Sequence, residues 1–154
     1  VLQISSVRPI KNLAELSQSD FEQVEHAITD EVAHRRARHV VGEVQRTKDA
    51  VEALQQGNIE LFGKLMTQSH ISLRDDYEVT GLQLDSLAEA AWKVEGVLGS
   101  RMTGGGFGGC TVSLVRDEAI PTFIEQVGAE YTEKTSLKAD FYIAEIGDGA
   151  HRVM

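Results

Sequence analysis

The sequence predicts an α+β domain with a small, largely antiparallel sheet and helices packed on one face of it. Two observations lead to this fold class. Apolar residues recur every three or four positions through most of residues 12–95, which is the repeat of amphipathic helices. Residues 97–146 then read as strand, glycine-rich loop, strand, helix and strand, and closely spaced strands of this kind pair antiparallel.

The composition describes one ordinary acidic domain. Its 154 residues are 42% hydrophobic and carry a formal net charge of −9. This charge argues against a general binder of nucleic acid or of anionic membranes, and it favours a soluble cytoplasmic protein. The single cysteine cannot form an internal disulfide, and no run approaches the roughly 18 apolar residues of a membrane span. Because the chain begins at Val1 without a methionine, we expect it to be a C-terminal fragment of a longer protein.

The first 28 residues are predicted to form a linker with short helices, ahead of a main domain over residues 29–154. Residues 1–12 alternate only weakly between apolar and polar and include Pro9, so we expect extended chain there. The residues that follow have helical spacing, with Ser19 as the N-cap of one or two short helices.

A long amphipathic helix is predicted from about residue 30 to residue 56. Gly57 ends it, and Asn58 begins the next helix. One side of the long helix is basic and carries Arg35, Arg36, Arg38 and Arg46. These arginines could contact a phosphate or a nucleic acid, but in a chain this acidic we favour a solvated face paired with carboxylates.

The helix that starts at Asn58 ends near residue 77 in an unusually polar run. Serine, histidine, arginine, two adjacent aspartates and a tyrosine are groups that bind hydroxyls, phosphates or metals in clefts. The candidates for lining such a cleft are Ser69, Arg74, Asp75, Asp76 and Tyr77. The alternative is a helix end whose charged side chains are solvated, and the residues alone leave both possibilities open.

The rest of the chain supplies the predicted sheet and two more helices. The elements are a helix over residues 82–95 ended by Gly96, strands over 97–103 and 110–115, a helix over 118–134 and a strand over 138–146. Pro121 is tolerated in the first turn of its helix. The last strand is apolar on both faces, which is typical of a strand buried between two layers.

The stretch Met102–Gly109, which we call the glycine loop, holds five of the chain's 14 glycines. It matches the G-x-G-x-x-G spacing of dinucleotide sites, but a strand rather than a helix follows it. No lysine occurs between Lys93 and Lys134, so it is not a Walker loop either. What remains is a loop between two strands whose backbone N–H groups could bind an anion, or else an ordinary wide hairpin loop.

Three stretches of the chain together carry a family resemblance. They read RRARHVVGE at residues 35–43, SHISLRDDYEVT at 69–80 and SRMTGGGFGGC at 100–110. In order and spacing they resemble the C-terminal half of the galactokinases, sugar kinases of the GHMP family. The resemblance is weakest before residue 28, and it implies that residues 29–154 are a GHMP kinase C-terminal domain with a ferredoxin-like fold. One departure is Gly81, where many relatives have proline.

The resemblance implies a role for the glycine loop. Similar galactokinases bind MgATP and galactose between two domains and transfer the γ-phosphoryl group to the C1 hydroxyl. Their equivalent loop supports the ATP phosphates, which assigns that role here to Met102, Thr103, Gly104, Gly105, Gly106, Phe107, Gly108 and Gly109. The implied cofactors are ATP and Mg²⁺, and the implied partners are galactose and an N-terminal kinase domain.

The same resemblance implies that this chain is not catalytic by itself. In the family the catalytic aspartate, the arginine near it and the serine-rich ATP loop lie in the N-terminal half. We therefore expect no catalytic residue and no metal ligand here, and we assign Asp75 and Asp76 to the wall of the cleft.

Three functions remain open from the sequence. The first is the C-terminal domain of a galactokinase, or of a related kinase for N-acetylgalactosamine. The second is a galactokinase-like sugar sensor that regulates a partner without catalysis. The third is a free-standing α+β binding module whose glycine loop is only a turn.

Overall fold

A computed structural model describes residues 1–145, 147, 149 and 152 of the chain. It confirms the α+β class, with helices and one antiparallel sheet of two strands in these residues. The helices are α1 (Leu2–Ser5), α2 (Gln18–Val24), α3 (Glu31–Gln55), α4 (Ile59–Ser72), α5 (Leu82–Trp92) and α6 (Ile120–Thr135). The strands are β1 (Val97–Thr103) and β2 (Cys110–Val115). Short 3-10 turns occupy Leu13–Glu15, Glu25–Ala27 and Asp117–Ala119, and a π-helical turn occupies Leu73–Tyr77.

The beginning of the chain is more helical than its sequence suggests. The prediction of extended chain over residues 1–12 is wrong for α1. Ile4 in that helix is fully buried in an apolar cluster with Phe21 and Val41. Burial against α2 and α3 thus decides the conformation of a segment whose own apolar pattern is weak.

The N-cap of α2 is Ser17, so the assignment of Ser19 to this position is wrong. The Ser17 Oγ accepts a hydrogen bond from the Asp20 N–H at 3.1 Å, and the Asp20 carboxylate accepts one from the Ser17 N–H at 3.3 Å. These reciprocal bonds form a capping box. Ser19 lies inside the first turn, where its hydroxyl is close to that of Ser17 instead.

The two long helices begin where their caps predict. Asp30 caps α3 by accepting the Ala33 N–H at 2.7 Å, and Asn58 caps α4 by accepting the Leu61 N–H at 3.1 Å. After α4 the helical path continues through the π-helical turn and stops at Glu78, which has the left-handed φ of 57°.

The sheet lies against α4 and α5. The predicted bounds of β1 and β2 are confirmed, and the strands pair antiparallel with Thr103 opposite Cys110. Where β1 crosses α4 the two backbones touch, because a Cβ on Gly99 would lie 1.9 Å from the Gly63 carbonyl oxygen. Side chains are therefore excluded from this crossing. The preceding helix α5 ends at Trp92, earlier than predicted.

The strand predicted over residues 138–146 does not form in residues 138–145, and residue 146 lies outside the described residues. Phe141 packs edge-on against Phe123 of α6, with ring centroids 5.9 Å apart. Tyr142 and Ile143 are 88% and 72% exposed. A strand needs a neighbour for its N–H and C=O groups, and in the described part of the chain only β1 and β2 pair with each other.

The apolar core consists of three clusters of buried residues in the described part of the chain. One apolar cluster joins α1, α2 and α3, and another joins α5 to α6 through Ala91 and Val127. A third, made of Leu73, Leu84 and Met102, lies where the π-helical turn, α5 and β1 meet. None of the helices within the described residues has the length and apolarity that crossing a membrane requires.

Candidate functional site

The glycine loop joins the facing ends of β1 and β2 in a conformation that few residue types adopt. Gly104, Gly106, Phe107 and Gly108 all have positive φ. Successive residues in such conformations can turn neighbouring N–H groups toward one point, which is the arrangement of anion-binding nests. The Phe107 side chain is 81% exposed. The backbone of the loop therefore has a defined conformation, and the side chains of the loop cover little of it.

One contact fixes the middle of the loop to the chain that follows the π-helical turn. The Phe107 N–H donates a hydrogen bond to the Val79 carbonyl oxygen at 2.8 Å. A Cβ on Gly106 would lie 2.0 Å from the same oxygen, and the φ of Gly106 is +85°. Glycine is required at this position both by the backbone conformation and by the close approach to Val79.

The start of the loop is held by His70 of α4, which is fully buried. Its Nδ1 accepts a hydrogen bond from the Met102 N–H at 2.9 Å. Because Nδ1 must offer a lone pair to this donor, the ring proton is on Nε2, which donates to Asp85 Oδ1 at 3.1 Å. Burial lowers the pKa of His70 below its ordinary value despite the opposing effect of Asp85. The ring is therefore neutral, and its contact with Asp85 is a hydrogen bond rather than an ion pair.

Two further hydrogen bonds reach the backbone of β1 at Ser100 and Met102. Trp92 meets the His70 ring edge-on, with centroids 5.6 Å apart, and its Nε1 donates to the Ser100 carbonyl oxygen at 2.9 Å. The Arg101 Nε donates to the Met102 carbonyl oxygen at 3.0 Å. The end of β1 is thus tied to α4 and α5 by side chains as well as by its pairing with β2.

The five predicted cleft residues lie in three different surroundings. Arg74 pairs with Asp75 at 2.7 Å and with Glu89 of α5 at 2.9 Å, and Arg74 lowers the pKa of Asp75. Asp76 and Tyr77 face α3 instead. Ser69 donates to the Glu43 carboxylate in a separate cluster. The carboxylates of Asp75 and Asp76 and the Ser69 hydroxyl are each paired with another side chain.

The basic side of α3 is neutralised by carboxylates, as the acidic composition favoured. Arg36 donates to the Asp76 carbonyl oxygen and to the Glu78 carboxylate, both at 2.6 Å, and lies 5.5 Å from the centroid of the Tyr77 ring. Arg35 reaches Glu78 at 3.3 Å, and Arg36 is the main cause of the lowered pKa of Glu78. The other pairs are Arg38 with Asp76 at 3.8 Å and Arg46 with Glu43 at 2.8 Å. These contacts fix Glu78, whose backbone is in the left-handed conformation. The next residue, Val79, accepts the hydrogen bond from the glycine loop.

A polar cluster that the sequence does not predict lies between α3, α4 and β1. Glu43 accepts hydrogen bonds from Ser69, from Arg46 at 2.8 Å and from Arg101 at 3.4 Å. Burial by itself raises the pKa of Glu43, but the bonds from Ser69 and Arg46 outweigh it, so the pKa lies below its ordinary value. No local pattern indicated this cluster, because Glu43 is 26 residues from Ser69 and 58 residues from Arg101 in the sequence.

Comparison with known proteins finds a matching family and similar chains. A family model described as "GHMP kinases C terminal" matches residues 50–133, more than half of the chain. Galactokinase from Fusobacterium nucleatum is 60% identical over 144 residues, covering 94% of this chain and 37% of the relative. Galactokinase from Clostridium beijerinckii is 51% identical over 151 residues, covering 98% of this chain and 39% of the relative.

A solved structure is similar over the same extent. The crystal structure of Lactococcus lactis galactokinase complexed with galactose superimposes with a TM-score of 0.92 and 48% identity, over 96% of this chain and 38% of that protein. The chain therefore spans less than two fifths of the length of these relatives. With the family model, the identities and the superposition all in agreement, this chain belongs to the GHMP kinase C-terminal domain family.

Proposed function

We propose that this chain is the C-terminal domain of a galactokinase, which transfers the γ-phosphoryl group of ATP to the C1 hydroxyl of galactose to give galactose 1-phosphate and ADP. The observation that carries the proposal is identity of 50% to 60% with galactokinases over nearly the whole chain. Residues 1–28 then lead into the domain formed by residues 29–154. The protein would act in the cytoplasm, with neither nucleic acid nor membrane as a partner.

In this proposal the glycine loop supports the phosphates of ATP. The fit rests on the backbone: the loop carries no cationic side chain, so its N–H groups are what it offers to an anion. The Phe107 N–H bond to the Val79 carbonyl oxygen and the close approach of Gly106 to the same oxygen restrain the loop backbone. When bound, ATP would supply the phosphoryl group, and Mg²⁺ together with residues beyond this chain would neutralise its charge.

The side chains of this domain then position the loop and do not react. Asp75 and Asp76 are engaged by Arg74 and by Ser72 and Arg38, respectively, so we assign neither of them to catalysis. Ser69, Arg74 and Tyr77 are proposed to form the supporting wall of the cleft. The catalytic groups and the sugar ligands belong to the N-terminal kinase domain of the whole protein.

The test is ADP release by the full-length protein with MgATP and a panel of sugars, with each sugar omitted in turn as the control. Turnover on galactose is the expected result. Turnover on N-acetylgalactosamine alone would support a sugar kinase but would replace galactose as its substrate. A well-folded protein that binds galactose without any turnover would overturn the proposal in favour of a sugar sensor.

A further inference from the structure

The start of the glycine loop depends on a buried side chain that the proposed reaction does not use. His70 has no exposed surface, and its two ring nitrogens face different elements. Nδ1 meets the Met102 N–H of β1 at 2.9 Å, and Nε2 meets Asp85 of α5 at 3.1 Å. The ring therefore joins α4, β1 and α5 at the residue where the loop begins.

Only the neutral ring can make both bonds. The Met102 N–H is a donor, so Nδ1 must be unprotonated to accept from it. A proton added at Nδ1 would place two N–H donors against each other in a buried site, and the Met102 bond would be lost. Protonation would leave the Nε2 bond to Asp85 intact, so the damage would be confined to the loop side of the ring.

We propose that His70 is a positioning residue for the glycine loop, which its neutral Nε2–H tautomer holds through the Met102 N–H and which protonation of the ring releases. This inference rests on the proposed function, because it concerns the loop that would support the ATP phosphates. His70 touches no substrate and acts only through the backbone of Met102.

The groups that face His70 favour the neutral ring on balance. Burial is the largest influence and lowers its pKa, and the positive charges of Arg74 and Arg101 act in the same direction. Asp85 acts in the opposite direction. Trp92 covers the ring edge from α5 and contributes no charge. The loop is therefore held at neutral pH and loses this bond only in acid.

A spectroscopic test needs no catalysis. The imidazole nitrogens of His70 and the Met102 amide are observed by NMR in the full-length protein as the pH is lowered. We expect the Nε2–H tautomer at neutral pH, a Met102 amide protected from exchange, and simultaneous loss of both on acidification. The Nδ1–H tautomer, or a ring doubly protonated at neutral pH, would overturn the inference.

A kinetic test separates positioning from general stability. His70→Asn keeps an acceptor near Nδ1, whereas His70→Leu removes it. We expect His70→Leu to raise KM for MgATP about tenfold and His70→Asn by no more than about threefold, since one buried N–H is left unpaired only in the first. KM for galactose should change little in either variant. The kinase activity of His70→Asn should fall less steeply in acid than that of the wild type, because the asparagine side chain does not titrate.

Ser113→Ala is the matched control on the same sheet. It removes the 2.8 Å bond between the Ser113 and Ser100 hydroxyls, so it weakens β1 without touching Met102. An equal rise in KM for MgATP in this control would overturn the positioning role. If the wild-type protein has no kinase activity, the proposed function fails. The inference about His70 is then tested by the NMR spectrum of His70→Leu, in which unchanged amide signals for residues 104–109 would overturn it. If His70→Leu does not fold, the wild-type pH titration and His70→Asn decide it.

Discussion

At the scale of single residues, Gly106 shows how a loop that looks flexible in sequence is held in one place. It has a positive φ and lies against the Val79 carbonyl oxygen, so the position admits no side chain. Sequence analysis predicts a shaped loop from the density of glycines. The residue it is shaped against could not be predicted, because Val79 is far from the loop in sequence and has no distinctive chemistry.

Replacing Gly106 should therefore impair the whole protein. We expect Gly106→Val to lower kcat/KM for MgATP at least about tenfold, because the backbone strain and the clash with Val79 together exceed about 1.4 kcal/mol. Steady-state kinetics of the full-length protein measures this. Gly105→Ala is the comparison, since an added Cβ there meets no described atom within 4 Å, and its loss should be several-fold smaller. Equal losses in the two variants would contradict the role given to the Val79 contact.

Two buried histidines make the stability of this chain depend on pH. Burial lowers the pKa of both His39 and His70 below the ordinary 6.5. The unfolded chain therefore takes up protons first as the pH falls, so this part of the stability is fully present above about pH 6.5 and is lost below it. We expect the free energy of unfolding in urea to fall between about pH 7.5 and about pH 5.5. A free energy that stayed constant or rose over this range would count against neutral buried rings.

At the scale of helices and strands, most boundaries were predicted from residues close to them in the sequence. The predictions failed where a contact with a residue distant in the sequence determines the structure. The bounds of β1 and β2 and the starts of α3 and α4 follow from alternation and from capping residues, which are local in the sequence. The bond from Met102 to His70 joins residues 32 positions apart and leaves no such pattern. The strand expected over residues 138–146 does not form in residues 138–145 for the same reason, since a run of apolar residues indicates burial but not a pairing partner.

The two serines at the start of α2 allow a direct test of which one caps it. Ser17→Ala should destabilise the chain by about 1 kcal/mol, because it removes the acceptor for the Asp20 N–H and one half of the capping box. Ser19→Ala should change the free energy of unfolding by less than about 0.5 kcal/mol. Urea unfolding curves of both variants measure the difference. A larger effect from Ser19→Ala would restore the capping assignment made from sequence.

At the scale of the whole molecule, apolar side chains are left on the surface. Phe107, Tyr142 and Ile143 are each more than 70% exposed, although the sequence pattern around the last two indicates burial. Tyr142 and Ile143 are adjacent in the sequence, and neighbouring exposed apolar side chains are typical of surfaces that another domain covers. This agrees with a chain that spans less than two fifths of its relatives' length.

We therefore expect this chain alone to bind a hydrophobic dye more strongly, per mole, than the full-length protein does. Dye fluorescence at matched concentrations measures the difference, and Ile143→Asp should reduce the signal of the chain alone. A weak signal from a monomeric, well-folded chain would instead favour an independent binding module.

The attachment of the glycine loop has a mechanical consequence. Its start is bonded to His70 and its middle to Val79, and these two residues belong to one uninterrupted stretch of backbone through α4 and the π-helical turn. Both of these attachments lie on the same stretch, so a displacement of that stretch would carry the loop with it. Arg36 of α3 bonds to Asp76 and Glu78 just before Val79, so a shift of α3 at this point would displace the loop through its contact with Val79.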